Sequence, residues 1–366
     1  MSGKAVWNRY RGVRFHTASG IFLAGPAGPG ACLALCPHRR HPALTPQHGC
    51  QIAAEAARSG RLRPMALQKL TGTDAFVVTD LPNATHADGV VRWAKKVLQD
   101  GARTMARSRT YSWALLGRQI SGASAGISAA PEDRDTAITA FVDELRESIA
   151  SGALSLDAGK GLSADDLSGW AELDQRASLR TGVEHDLLAT GIVAAGDVAL
   201  GGIAGSSVTL EGAGSATDAI AAALVAAGAT IAAAGDGADI ALTPSDLLVC
   251  GSKLGLVDHD LAAALPQRAL VPCGVAPVSA KGLAVATRRE VVVVPDFLSL
   301  LGPLLAFRPA DDATADSLRA DADATVRSLL TDAIGHEEGP YLGAAYAAET
   351  FLSTWQETLP FGRPLA

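Results

Sequence analysis

The strongest constraint on this chain is a pattern in its second half. From about Ala195 onward, short apolar runs alternate with glycine turns and alanine-rich stretches. Ser207-Val208-Thr209-Leu210 leads into Gly212-Ala213-Gly214-Ser215-Ala216-Thr217 and a helical stretch through Ala227. The runs Thr230 to Ala234, Leu247 to Val249, Ala269 to Val271 and Val291 to Val294 follow. Strands that are apolar along their whole length, with helices between them, belong to a parallel sheet covered on both faces. The expectation is an α/β chain with a doubly wound, Rossmann-like domain over residues 196–307.

The first half predicts a separate α/β domain over 67–195. Asp74 to Asp80 is a β-rich run ended by Leu81-Pro82-Asn83, and a helical pattern is expected from Gly89 to Arg107. Between Asp135 and Ala150, Ile138, Phe141, Val142, Leu145 and Ile149 recur at three-to-four spacing and stripe one face of a helix. The acidic, amphipathic tail from Thr314 predicts helices within 308–366 that return to this domain. Residues 1–66 form an N-terminal extension, rich in glycine and proline from Gly20 to Gly30, onto which no elements are forced. With 366 residues, 48% of them hydrophobic, the chain can bury two cores.

Composition narrows the partners. A net charge of -7 and the lack of a basic run interleaved with aromatics argue against nucleic acid. The longest apolar stretches carry Asp218 and Pro295-Asp296, which suits buried helix and strand and not a membrane span. Five cysteines and no charged-then-apolar leader point to a reducing, cytoplasmic compartment. A small molecule is the expected partner.

A strand ending at Leu210, a Gly-x-Gly turn and a helix starting near Ser215 can seat a dinucleotide pyrophosphate on free backbone N–H groups. Gly212, Gly214, Ser215 and Ala216 are the candidate cradle, with NAD or NADP as the cofactor. The other reading is a tight strand-to-helix turn without a ligand. Thr217 takes the place of a third glycine, and Asp218 puts a negative charge in the first helical turn. Asp236 is the candidate for holding the ribose. If Gly235 is its true counterpart instead, the choice between NAD and NADP stays open.

Several blocks together resemble the glutamate/leucine/phenylalanine/valine dehydrogenases, most closely the leucine/valine type, over about residues 67 to 356. Thr110-Tyr111-Ser112-Trp113, Gly117 and Ser121-Gly122-Ala123-Ser124 are similar to two lysine-bearing segments of that family, and Ser112 and Ser124 keep the family's twelve-residue spacing. Leu156-Asp157-Ala158-Gly159, trailed by Ala164-Asp165-Asp166-Leu167, resembles the Asp-x-Gly segment, so Asp157 falls on the catalytic aspartate. Asp246 to Cys250, Ala269 to Val271 and Pro295-Asp296-Phe297-Leu298 follow in the family's order.

The resemblance implies a homo-oligomer, dimer or higher, formed through the first domain. It also implies a first lysine that pairs with the substrate carboxylate and a second that activates water. Serine offers neither function near neutral pH, and losing a charge-assisted bond costs about 1.5–3 kcal/mol, roughly ten- to a hundred-fold in binding. Val275, Leu300 and Leu188 stand where the family carries two asparagines and a threonine, so the pocket is expected to be neutral and more apolar.

Ordinary oxidative deamination is then not expected. An NAD(P)-linked oxidoreductase acting on an imine, a dehydro-amino acid or another amine or keto compound is expected, with Asp157, Ser124, Ser112 and His185 as the residues at the reacting centre. The alternative is a relative without redox activity, either a non-oxidative enzyme or a binding or scaffold protein.

His185, flanked by Glu184 and Asp186, is a candidate replacement acid or base; the bland reading is a surface histidine. Lys160, Lys95, Lys96 and Arg92 could approach the same cleft or be surface charges. Cys32, Cys36, His38 and His41, with His48 and Cys50, are dense enough to consider a zinc site, though the spacing fits no standard finger and a loop of reduced cysteines and solvated histidines is the favoured reading. Gly-x-Ser-x-Gly is absent, so a hydrolase elbow is not supported.

Overall fold

The computed structural model describes residues 65–366 except 82, 177–181, 308 and 360–361. The candidate zinc ligands Cys32, Cys36, His38 and His41 therefore lie outside the described residues.

Two five-stranded sheets organise the rest. The first has the order β1-β2-β4-β3-β5, from β1 (Ala66–Lys69), β2 (Ala75–Thr79), β3 (Ala87–Ala94), β4 (Ser121–Ser128) and β5 (Leu154–Ala158). Its β3 runs parallel to both neighbours, and the β1-β2 and β2-β4 pairs are antiparallel. The helix expected from Gly89 starts ten residues later, as α1 (Gln99–Leu115), because Gly89 to Ala94 belong to β3. Val90, Val91 and Trp93 favour a pleated surface, and pairing on both edges overrides the local helical pattern.

Bare backbone explains how α1 lies on β4. A Cβ on Gly122 would sit 1.8 Å from the Ala106 carbonyl oxygen, and one on Gly89 the same distance from that of Ala123. Glycine at both places lets helix and strands approach more closely than side chains permit. The opposite face is covered by α2 (Arg134–Ala150), whose predicted stripe of Ile138, Phe141, Val142, Leu145 and Ile149 is buried against Val91, Ala125, Ile127 and Trp170.

The second sheet is parallel throughout, in the order β10-β9-β8-β6-β7, from β6 (Ser207–Glu211), β7 (Thr230–Gly235), β8 (Leu247–Cys250), β9 (Ala269–Pro272) and β10 (Val292–Val293). The chain leaves β6 toward β7 on one side and returns to β8 on the other. That reversal opens a crevice at the strands' C-terminal ends, where open α/β sheets take ligands. Helix α3 (Glu184–Leu200) leads into this sheet, α4 (Thr217–Ala226) follows the glycine turn, α5 (Ala238–Ala241), α6 (His259–Ala264) and α7 (Ala280–Arg288) link the later strands, and α8 (Asp296–Ser299) follows the last of them.

The acidic tail forms α9 (Ala315–Ile334), started by a Thr314/Ser317 capping box, and α10 (Pro340–Leu352). Helix α10 packs on α1, where Tyr111 Oη donates to Glu349 at 3.0 Å. Tyr111, Phe297 and Tyr341 meet edge to face at 5.3 and 5.5 Å, joining α1, α8 and α10. One continuous core holds Tyr111 and Trp113 together with Leu210, Phe297 and Leu352, so α1 is shared between the two layers. Among the described residues, no helix is long and apolar enough to cross a membrane.

Candidate functional site

Strand register places the first set of candidates. Ser124 on β4 and Asp157 on β5 both pair with Val90 of β3, so they lie in one row on one face, two strands apart, or about 10 Å. Neither predicted serine offers a hydroxyl to that row. Ser124 is fully buried with its Oγ 4.0 Å from the Met105 sulfur, and Ser112 on α1 donates to the Ser108 carbonyl at 3.2 Å.

A cluster of charged side chains surrounds Asp157. Asp88 is completely buried and accepts from Arg109 Nε at 2.6 Å and Trp113 Nε1 at 3.1 Å, with Arg176 at 3.6 Å. Asp157 is held by Arg176 at 2.9 Å and approached by Arg109 at 3.7 Å. Arg176 in turn grips Asp174 through Nε at 2.8 and 2.7 Å and lies 5.7 Å above the Phe307 ring.

Arg109 and Arg176 thus place two positive charges beside Asp88 and Asp157. Arg109 and Trp113 are four residues apart on α1 and therefore share a face, the one signal in the sequence that could have exposed this arrangement. Lys160, Lys95 and Lys96 are exposed, as surface charges would be, whereas Arg92 is half-buried.

The glycine turn forms the second set. Gly212 and Gly214 have φ of +65° and +56°, in the left-handed region. Gly212 is pressed against the backbone of Ser252, where a Cβ would come within 2.4 Å, while a Cβ on Gly214 would meet nothing within 4 Å. Gly212 N–H donates to the Gly235 carbonyl and Ala216 N–H to that of Ala213, whereas among the described residues the N–H groups of Ala213, Gly214 and Ser215 between them donate to no acceptor. Three successive free donors around an αL glycine make a nest for an anion.

Ser215 Oγ lies 3.2 Å from His185 Nε2, so the structure brings together two residues predicted for different roles. Ala216 is buried and its N–H is spent, so it backs the turn without facing a ligand. Asp218 and Asp236 are exposed. Beneath the turn, the buried Glu211 carboxylate accepts from the N–H groups of Gly237, Gly251 and Ser252 at 2.8, 3.1 and 3.3 Å, tying the ends of β6, β7 and β8 together. Sequence reasoning did not single it out.

Leu188, Val275 and Leu300 are half-buried. Next to Val275, Ala276 adopts φ +43° and its N–H donates to Asp296 at 2.9 Å. Asp296 also accepts from Ser108 of α1 at 2.6 Å, linking the two layers. Burial pushes its carboxyl up to about 6, against the pull of those donors.

No family model and no curated protein matches the sequence. Solved structures do. The hetero-hexameric glutamate dehydrogenase of Thermus thermophilus, with leucine bound, is 16% identical at a TM-score of 0.66, covering 83% of this chain and 94% of that one. The L-tryptophan dehydrogenase of Nostoc punctiforme is 13% identical at 0.60, covering 84% and 100%. A lysine-to-leucine mutant of glutamate dehydrogenase is 15% identical at 0.69, covering 85% and 91%. The chain therefore has the two-domain fold of the amino-acid dehydrogenases, Rossmann-like domain included.

Proposed function

We propose that this chain is a divergent relative of the amino-acid dehydrogenases, nearest the leucine/valine type, that binds NAD or NADP and acts on an imine, a dehydro-amino acid or another amine or keto compound. The observation that carries this is the nest of free N–H groups on Ala213, Gly214 and Ser215 at the C-terminal end of the central strand β6. Its donors and the start of α4 favour an anion the size of a pyrophosphate, and the bare Gly214 leaves room for one. Asp236, exposed just beyond β7, is the candidate for the ribose hydroxyls.

When bound, the nicotinamide supplies the hydride acceptor or donor. Asp157 holds the proton exchanged with the substrate nitrogen, its carboxylate oriented by Arg176 and Arg109. Ser112 and Ser124, turned into the protein, cannot activate water, so the reaction stops at the imine or reduces one. The division into 67–195 with 308–366 and 196–307, and assembly as a cytoplasmic homo-oligomer, belong to the same proposal.

One observation favours a second reading, that redox chemistry has been lost. Asp218 on the first turn of α4 and Glu211 beneath the turn both add negative charge near the nest. Titration of the protein with NADH and NADPH, followed by nicotinamide fluorescence, separates the two. Saturable enhancement with either, abolished by Gly214→Asp, is expected; no enhancement with both overturns the first reading and leaves the second.

A further inference from the structure

Residues 362–366 lie across the seam between the two layers and are held unequally at their two ends. On the side of the first layer the hold is built from charge. Arg107 of α1 is buried and fixed by Asp80, to which its Nε donates at 2.8 Å, and its Nη1 donates to the Gly362 carbonyl. Arg363 donates to both carboxylate oxygens of Glu349 on α10, at 2.7 and 3.0 Å, with its guanidinium 4.7 Å above the Tyr346 ring. Tyr341 of α10 donates through Oη to the carbonyl of the buried Pro364 at 2.9 Å.

On the side of the second layer the hold is slight. The segment turns at Leu365, whose N–H donates to the Arg363 carbonyl at 2.8 Å, and Leu365 closes one side of a cavity lined by Asp296, Val278 and Val293. Ala366 is exposed, and among the described residues its carbonyl accepts one bond, from the Ala280 N–H at the start of α7, at 3.3 Å. Its methyl lies 3.3 Å from where a Cβ on Gly255 would stand. A bidentate guanidinium and a buried arginine outlast a single long bond between neutral groups, so the segment gives way first at Leu365 and Ala366.

What it touches there reaches the glycine turn. Gly255 ends the loop 251–255 that follows β8. Leu254 of this loop lies against α1, where a Cβ on Gly101 would come within 2.9 Å of its Cδ1. Ser252 is pressed on Gly212, and the N–H groups of Gly251 and Ser252 donate to Glu211.

We propose that residues 362–366 are a releasable clasp. Anchored on α1 and α10, they hold the loop 251–255 and the start of α7 in place. Release at Leu365 and Ala366 frees that loop, and with it the support of the glycine turn, without unfolding either sheet. The clasp does not depend on what binds at the turn; its effect on cofactor binding rests on the nucleotide reading above.

Hydrogen exchange of the full chain at rising urea, followed by NMR, tests this. A local opening exposes little surface and is nearly independent of urea, whereas buried strand residues such as Val249 and Leu270 exchange by a steeply urea-dependent global route. The Ala280 N–H, bonded to Ala366, is expected to follow the local route. Removing Leu365 and Ala366 is expected to speed exchange at Ala280, Gly251 and Ser252 by about three- to ten-fold and to leave Val249 and Leu270 unchanged. Tyr341→Phe deletes the bond to Pro364 while keeping the ring against Phe297, and a smaller increase at the same amides is expected. The clasp is overturned if Ala280 shows the urea dependence of Val249, if the truncation leaves Gly251 and Ser252 unchanged, or if it speeds all amides equally. Should NADH bind the full chain, the truncated chain is expected to bind it about three- to ten-fold more weakly, and equal affinity overturns the link to the turn. Should NADH not bind, the nucleotide reading falls and the exchange rates still decide the clasp.

Discussion

Asp296 makes the pH dependence of stability calculable. Its carboxylate is buried at the start of α8, accepting from Ser108 and Ala276, and burial lifts its pKa from 3.8 to about 6. Below pH 4 the group is protonated in both folded and unfolded chains and contributes its full stabilisation. Between about 4 and 6 the folded chain binds the proton more tightly than the unfolded one, so stability falls as pH rises. At about 1.4 kcal/mol per unit the loss amounts to roughly 3 kcal/mol, complete once pH passes the folded pKa.

Asp296→Asn is nearly isosteric and removes the titration while keeping an acceptor for Ser108 or Ala276. The cavity lined by Asp296, Tyr341, Pro277 and Leu365 lies beside the new amide. Denaturant unfolding of both proteins at pH 4, 5, 6 and 7 isolates the effect, since every other carboxyl is common to the pair. The variant is expected to gain about 3 kcal/mol on the wild type between pH 4 and 7, with most of the change between 4 and 6. A difference that stays constant with pH would refute the assignment of the raised pKa to this residue.

Other perturbations have equally definite outcomes. Gly122→Ala places a methyl 1.8 Å from the Ala106 carbonyl oxygen. It should cost about 3 kcal/mol or more, visible as loss of soluble, cooperatively folding protein, whereas Gly214→Ala meets no atom and should cost only the roughly 1–2 kcal/mol of a left-handed φ. Ser124→Lys should destabilise by several kcal/mol, since a long ammonium side chain would enter a fully buried position; deamination of leucine or valine by that variant would contradict this. Asp157→Asn strips Arg176 of its 2.9 Å partner and should cost about 1–2 kcal/mol, less than a fully buried pair because Asp157 retains some exposure. Urea denaturation at neutral pH measures it.

What could be read in the sequence follows from where the physical signal is local. Strands β6, β8 and β9 are covered on both faces, so each is apolar along its length, and the runs at Ser207, Leu247 and Ala269 mark them directly. Strand β4 gave no such signal. Ser121 to Ser128 is a run of small residues, chosen by the close approach of α1 and not by hydrophobic burial. Strand β3 was hidden for the opposite reason: Gly89 to Arg107 carries a plausible helical pattern, and only pairing to β4 and β5, both distant in sequence, makes its first part a strand.

The site was legible where backbone conformation defines it and opaque where charge does. A Gly-x-Gly between strand and helix announces a left-handed turn, and free N–H groups follow from that geometry alone. The cluster around Asp88 draws on β3, α1, β5 and the segment carrying Asp174 and Arg176, which no spacing rule connects. The spacing of Ser112 and Ser124 carries no trace of the arginines that stand around Asp157. That Arg109 and Arg176 gather around Asp157, and that Arg92 nearby keeps two buried donors without a hydrogen-bond partner among the described residues, depends on side chains brought to one sheet face from separate elements. Asp157 sits among them, held by Arg176 at 2.9 Å and approached by Arg109 at 3.7 Å.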